Sequence, residues 1–180
     1  MKRATFFGST LLATLLVTGC AAGVKGTPGM KLYSAGDYEA AVPLLLAEVE
    51  AGEVSARYPL GLAYRDGRLV TRDPRKAEIL FTGAAIGGDP RAVEAVRAML
   101  REENLCSKDK ALHDMWGSLV MQRNIITGVY ELNNAPRGTL QKMAEIYAAP
   151  CPGRPVQKEA AQSLNRLSQG QRSIWIYVPG

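Results

Sequence analysis

The chain has 180 residues, 47% of them hydrophobic, which suffices for one domain with a real core. Its formal net charge of +5 falls to +3 once Lys2 and Arg3 are set aside, leaving 20 basic against 17 acidic residues. That surplus is too mild to indicate a nucleic-acid partner, and a single histidine excludes an HExxH or paired-histidine metal site.

Met1-Lys2-Arg3 is a basic leader start, and Thr5–Val17 is an apolar run too short to span a membrane comfortably as a mature helix. The run ends in Val17-Thr18-Gly19-Cys20, which resembles the bacterial lipobox. The resemblance implies removal of residues 1–19, a lipid on the Cys20 sulfur and acylation of the new amino terminus. An ordinary secretory signal with an incidental cysteine is the alternative. Ala21 is not the aspartate that retains some lipoproteins at the inner membrane, which favours the outer membrane. Residues 20–27 are small, polar and glycine-containing, and read as a short tether holding the fold near the membrane surface.

Pro28–Gly52 reads as a helix pair with a tight turn at Gly36-Asp37. Asp37 suits the cap of a helix from Tyr38, with Ala41, Leu44, Leu45 and Val49 as its apolar face. A second pair follows over Ala56–Ala92. Ala56, Leu60, Gly61 and Tyr64 share a helical face, and Gly67 ends it. Asp73 and Pro74 suit the start of the next helix, whose apolar face is Ala77, Leu80, Phe81, Ala84 and Ala85. Gly87-Gly88 then stops it. Tyr33 and Gly36 recur 31 residues later as Tyr64 and Gly67; Gly52 and Ala56 recur 36 later as Gly88 and Ala92. Internal similarity at this period marks a helical solenoid. The small side chains allow close helix packing.

The order Ala56, Leu60-Gly61, Tyr64, Gly67, Val70, Asp73, Lys76-Ala77, Ala84-Ala85, Gly88, Ala92 resembles one complete Sel-one-like repeat, a relative of the tetratricopeptide repeat. Leu80 departs from it, standing where an aromatic residue is usual. The resemblance implies an all-α fold: a short α-solenoid of antiparallel helix pairs over residues 28–106, with a helical C-terminal region, diverged repeats or a cap, over 107–180.

Asp89-Pro90 opens a further helix with Ala92, Val93, Val96, Met99 and Leu100 buried, and Arg101-Glu102-Glu103 as its solvated end. Ser107 suits the cap of a helix reaching about Arg123, with Leu112, Met115, Trp116, Leu119 and Val120 on its inner face. Ile125–Leu132 is open between strand and helix, and Asn133–Pro136 is a turn. Thr139–Ala148 and Val156–Leu167 have helical apolar spacing, with Val156, Ala160, Leu164 and Leu167 on one side of the second. Ile174–Val178 is apolar and β-prone; it reads as a tail folded over the last helices, or as a segment that pairs with a partner.

Chemistry is sparse. There is no GxSxG and no phosphate-binding loop, Glu78 and Glu94 have no partner that spacing predicts, and nothing implies a cofactor. No enzymatic activity is expected, and a cell-wall hydrolase is the least supported reading. What remains is a surface for holding another chain. Arg57 and Arg65 border the packed face without belonging to it, and with Arg68 they are the candidate partner contacts. The expected role is a lipid-anchored periplasmic adaptor for another envelope protein, similar in design to helical-repeat lipoproteins of exopolysaccharide secretion machineries such as the alginate system. The basic residues around the turn, Arg65, Arg68, Arg72, Arg75 and Lys76, motivate the alternative, a binder of peptidoglycan or acidic polysaccharide.

With Cys20 lipidated, Cys106 and Cys151 remain as one pair in a compartment where disulfides persist. Closing a loop of roughly 46 residues stabilises by about 4 kcal/mol in the chain-entropy model; two free buried thiols are the alternative. Alkylation followed by mass measurement decides. A bridge leaves both cysteines unmodified until reductant is added, and two alkylated thiols beforehand rule it out.

Overall fold

A computed structural model describes residues 26–102, 106–119, 122–123, 130–132, 135–154 and 156–171. The leader with Cys20, Glu103, Val120, most of the 125–134 stretch and the Ile174–Val178 run lie outside the described residues.

The fold is all-α. The helices are α1 (Pro28–Ser34), α2 (Tyr38–Glu50), α3 (Arg57–Asp66), α4 (Pro74–Ile86), α5 (Pro90–Glu102), α6 (Asp109–Ser118), α7 (Arg137–Ala148) and α8 (Lys158–Ser168). A 3-10 turn at Val54–Ala56 leads into α3. Between α6 and α7 lies a minimal antiparallel ladder of β1 (Gln122–Arg123) and β2 (Tyr130–Glu131).

Short polar side chains start the helices. Thr27 accepts from the Met30 N–H at 3.3 Å, and Asp37 from Ala40 at 3.2 Å. Asp73 accepts from Arg75 and Lys76, both at 3.1 Å, and Asp89 from Arg91 at 3.0 Å. Each satisfies donors that a helix start leaves unpaired. Gly36 and Gly67 end α1 and α3 in the left-handed region, at φ +85° and +71°. Residues with a Cβ adopt that conformation only under strain.

The two pairs α1–α2 and α3–α4 share details of packing. Ala41 and Ala77 have no exposure, nor have Leu45 and Phe81, each pair 36 residues apart. A glycine of the first helix lies close against the second in both pairs, with different neighbours: a Cβ at Gly29 would lie 2.7 Å from Glu48 Oε2 and 2.9 Å from the Leu45 backbone N, and one at Gly61 would lie 2.6 Å from Phe81 Cε1. Tyr33 packs edge-on against Tyr38, the first residue of α2, and Tyr64 lies under the Lys76 ammonium, in the first turn of α4.

Two hydrophobic clusters result. The smaller joins Tyr33, Ala41, Val42, Leu45, Ala56, Leu60 and Ala63. The larger runs from Ala77 and Phe81 through Val96, Leu112 and Trp116 to Met143, Tyr147 and Leu164. Leu62 and Tyr64 touch both. Helix α4 is the hub: it packs against α3, α5 and α8. The helix that comes to its side from beyond α5 is thus chiefly α8 rather than α6.

The structure corrects several sequence expectations. Helix α6 begins at Asp109, not after Ser107, because Asp109 bonds back to Cys106 through both its N–H and its carboxylate. It ends at Ser118, where Leu119 turns extended at ψ 112°. Tyr130–Glu131, within the stretch left open, is strand. Leu44 and Val156, expected to be buried, are exposed. Val42 takes the inner place on α2, and α8 starts two residues later than Val156, with Gln157 turned inward instead.

Gly61→Val should lower unfolding free energy by about 2–3 kcal/mol, since the Phe81 ring has nowhere to move. Gly138→Ala, with nothing within 4 Å of its added Cβ, should be neutral or stabilise by up to about 1 kcal/mol. Urea unfolding of both variants checks the contrast.

Candidate functional site

A groove of about 220 Å³ opens between α4 and α8. Ile79, Gly83, Ile86 and Gly87 form one wall, Glu159, Ala160, Ser163 and Arg166 the other, and Val54, Arg57, Val156, Gln157 and Lys158 close its ends. Arg57 reaches in from α3. Its guanidinium lies over Gly83, where any Cβ would overlap its Nη1. That glycine is therefore what lets the arginine lie flat on α4. Arg57 Nη2 donates to Glu159 Oε1 at 2.8 Å, with side chains 18% and 73% exposed.

The groove has more cation than anion. Among the described residues Arg166 donates to the Ser163 hydroxyl, at 3.1 Å, without an ion pair, and Lys158 has no ion-pair partner. Its floor is partly apolar. Of the four large apolar side chains that are exposed among the described residues, Ile79 and Val156 both line it. Ile79 also lines a second groove, of about 230 Å³, with Leu46, Val49, Leu60, Tyr64 and Leu80 and the charged residues Glu50 and Lys76 at its rim. The two meet at Ile79 and form a strip across α2, α4 and α8.

Beneath the strip lies a buried polar network. Gln157 donates through Nε2 to Glu78 Oε1 at 2.9 Å. Glu78 is 4% exposed. Burial raises its pKa to about 7, against the opposing pull of the Arg154 cation. Arg154 Nη1 pairs with Asp109 Oδ1 at 2.8 Å, both side chains almost wholly buried. Asp109 Oδ2 also accepts from the Cys106 N–H at 2.9 Å. Arg154 lies over the Tyr147 ring, whose hydroxyl accepts from Trp116 Nε1 at 2.8 Å. Burial pushes the Tyr147 phenol well above its ordinary range.

The Cys106 and Cys151 sulfurs are bonded, with Cα atoms 5.9 Å apart. The bond ties the loop before α6 to the loop before α8. Arg154 donates its own N–H to the Cys151 carbonyl at 3.1 Å. The disulfide thus joins the two backbone segments that present Asp109 and Arg154 to each other. These carboxylates are spent inside the fold on hydrogen bonds. No group of three or more His, Cys, Asp or Glu among the described residues is placed to hold a metal ion.

The three arginines singled out from the sequence do not gather. Arg57 lies in the groove. Arg65 and Arg68 both pair with Asp66, at 2.7 and 3.4 Å, and the hydrogen bond from Arg65 holds that carboxyl below its ordinary pKa. Arg68 also stacks on the Tyr38 ring, 4.8 Å from its centroid, at the edge of a separate surface hollow with Leu69. His113 bonds the neighbouring Asp114 at 3.1 Å on the outer face of α6. The packing residues sit inside. Ala56, Ala77, Ala84, Ala85 and Ala92 have no exposure and Leu60 has 2%; Leu80 is half-buried. Gly67 and Gly88 make their turns at positive φ. Sequence reasoning missed Glu78, Asp109, Arg154 and Gln157. A glutamate set between Ala77 and Phe81 on an apolar face was the one visible sign.

The raised pKa of Glu78 has a sign. Between the unfolded value of 4.5 and the folded value of about 7 the native state holds a proton that the unfolded chain releases. Stability from this group is full below pH 4.5 and falls as pH rises through 7, by about 3 kcal/mol in all. Glu78→Gln should match the wild type near pH 5 and be more stable near pH 8. Urea midpoints at the two pH values measure this; equal differences at both would show that Glu78 ionises normally.

Compared with known protein families, curated proteins and solved structures, the chain matches none.

Proposed function

We propose that the protein is a lipid-anchored adaptor of the bacterial envelope, which holds another envelope protein near the membrane through the strip across α2, α4 and α8. In this reading the helix pairs are antiparallel Sel-one-like repeats stacked as a short solenoid, and the C-terminal helices cap it. On the same reading the lipid on Cys20 keeps the folded domain at the outer membrane, and exopolysaccharide secretion is the setting that best suits such a protein.

One observation carries this reading. Two contiguous grooves share the exposed Ile79, and the one between α4 and α8 adds Lys158 and Arg166, which have no ion-pair partner among the described residues. Exposed apolar side chains rimmed by polar groups suit a protein partner. Among the described residues the buried carboxylates are taken up inside the fold, Glu78 by Gln157 and Asp109 by Arg154 and the Cys106 N–H. The cations at Arg57, Lys158 and Arg166 keep acidic polysaccharide or peptidoglycan as a second reading. Binding to those polymers would fall steeply with salt.

Two measurements test the adaptor. The mature amino terminus should carry acyl groups by mass spectrometry. A photo-crosslinker at Ile79 should join one envelope protein in living cells, whereas the same probe at His113, on α6, should not. An unacylated mature chain would remove the anchor. Equal crosslinking from both positions, or none from Ile79, would remove the strip as the binding face.

A further inference from the structure

The groove between α4 and α8 already contains a carboxylate, and it belongs to the chain itself. Glu159 is 73% exposed, so its attachment to Arg57 is made mostly in water. Exposed ion pairs of this kind are weak, worth ~0–1 kcal/mol at most sites. Arg57 is the opposite. Its side chain is 18% exposed, it lies against α4 over Gly83, and it cannot leave without exposing that backbone. The guanidinium is thus fixed and its present partner is loose.

The surroundings favour a second carboxylate. Lys158 and Arg166 face the same groove without an anionic partner among the described residues. The first turn of α8 lines it too, and Gln157 provides no side-chain cap there. The N–H groups of Lys158, Glu159 and Ala160 therefore add to the positive field. Around this charge stand Ile79, Ile86, Val54 and Val156. A bare inorganic anion would have no use for those apolar walls.

From this geometry we infer that the groove receives a short acidic segment of the partner protein, in which a Glu or Asp flanked by apolar residues displaces Glu159 from Arg57. The partner's carboxylate takes the Nη2 donor of Arg57 that now holds Glu159, its neighbouring apolar side chains cover Ile79 and Val156, and Glu159 swings into solvent. A guanidinium-to-carboxylate hydrogen bond is among the stronger kinds. Glu159 acts as an internal competitor that keeps the groove closed to weak ligands. This assignment rests on the adaptor role and names the chemistry of its partner.

The test uses the full lipidated chain in detergent and three probes: N-acetyl-Ile-Glu-Ile-amide, the same peptide with Gln in place of Glu, and an oligogalacturonate. Binding is read by calorimetry. The Glu peptide should bind at least about tenfold more tightly than the Gln peptide. Glu159→Gln, a substitution at an exposed position, should tighten the Glu peptide by roughly threefold or more by removing the competitor. Arg57→Gln should reduce the Glu peptide to the level of the Gln peptide. Equal binding of the two peptides, or a Glu159→Gln variant that binds the Glu peptide no better, overturns the inference. So does binding of the oligogalacturonate, but of neither peptide, in a manner dependent on Arg57. An Ile79 crosslink in cells that persists undiminished in Arg57→Gln would separate the outcomes: the adaptor would stand and the acidic-segment site would fall.

Discussion

Everything else in the molecule depends on how closely α3 and α4 approach. Gly61 gives the Phe81 ring a seat that a methyl group would deny it. With that ring in place, α4 is fixed against α3 on one side and offers its remaining faces to α5 and α8. Ala77, Ala84 and Ala85, with no exposure, keep those approaches short. The groove, its arginine and the polar network beneath it are all set by where α4 lies. Gly83 extends the same logic to the surface, since it lets a charged side chain from α3 rest on the hub.

The local half of this fold was legible in the sequence, and the distant half was not. Asp37 and Asp73 announce their helices because a cap needs only residues a few places away. The spacing of Ala77, Phe81, Ala84 and Ala85 announces a buried face for the same reason. Glu78 and Gln157 are 79 positions apart, and Asp109 and Arg154 are 45 apart. No periodicity links such residues; only the return of the chain through α7 brings them together. Val156 misled because an apolar residue just before an amphipathic helix reads as part of its face, when it is Gln157 that turns inward. Arg57, Arg65 and Arg68 looked alike in sequence. They part company in space because Asp66 claims two of them.

The interior network uses charge sparingly. Asp109 and Arg154 neutralise each other and have further hydrogen bonds, which is the condition under which a buried pair is tolerated. Among the described residues Glu78 has no ion-pair partner. It shares the field of Arg154 with Asp109 and relies on an amide from Gln157, so burial dominates its titration. Gln157 therefore couples two regions. Its amide serves the interior, and the same residue lines the groove.

The bond between Cys106 and Cys151 makes the stretch between them a closed ring. A protease that cuts once inside that ring does not divide the molecule: the two pieces stay covalently joined, and α8 remains attached to the helices it packs against. A nicked chain would run as one species without reductant and as two with it. The segment linking α6 to α7 can thus be severed without shedding the C-terminal third.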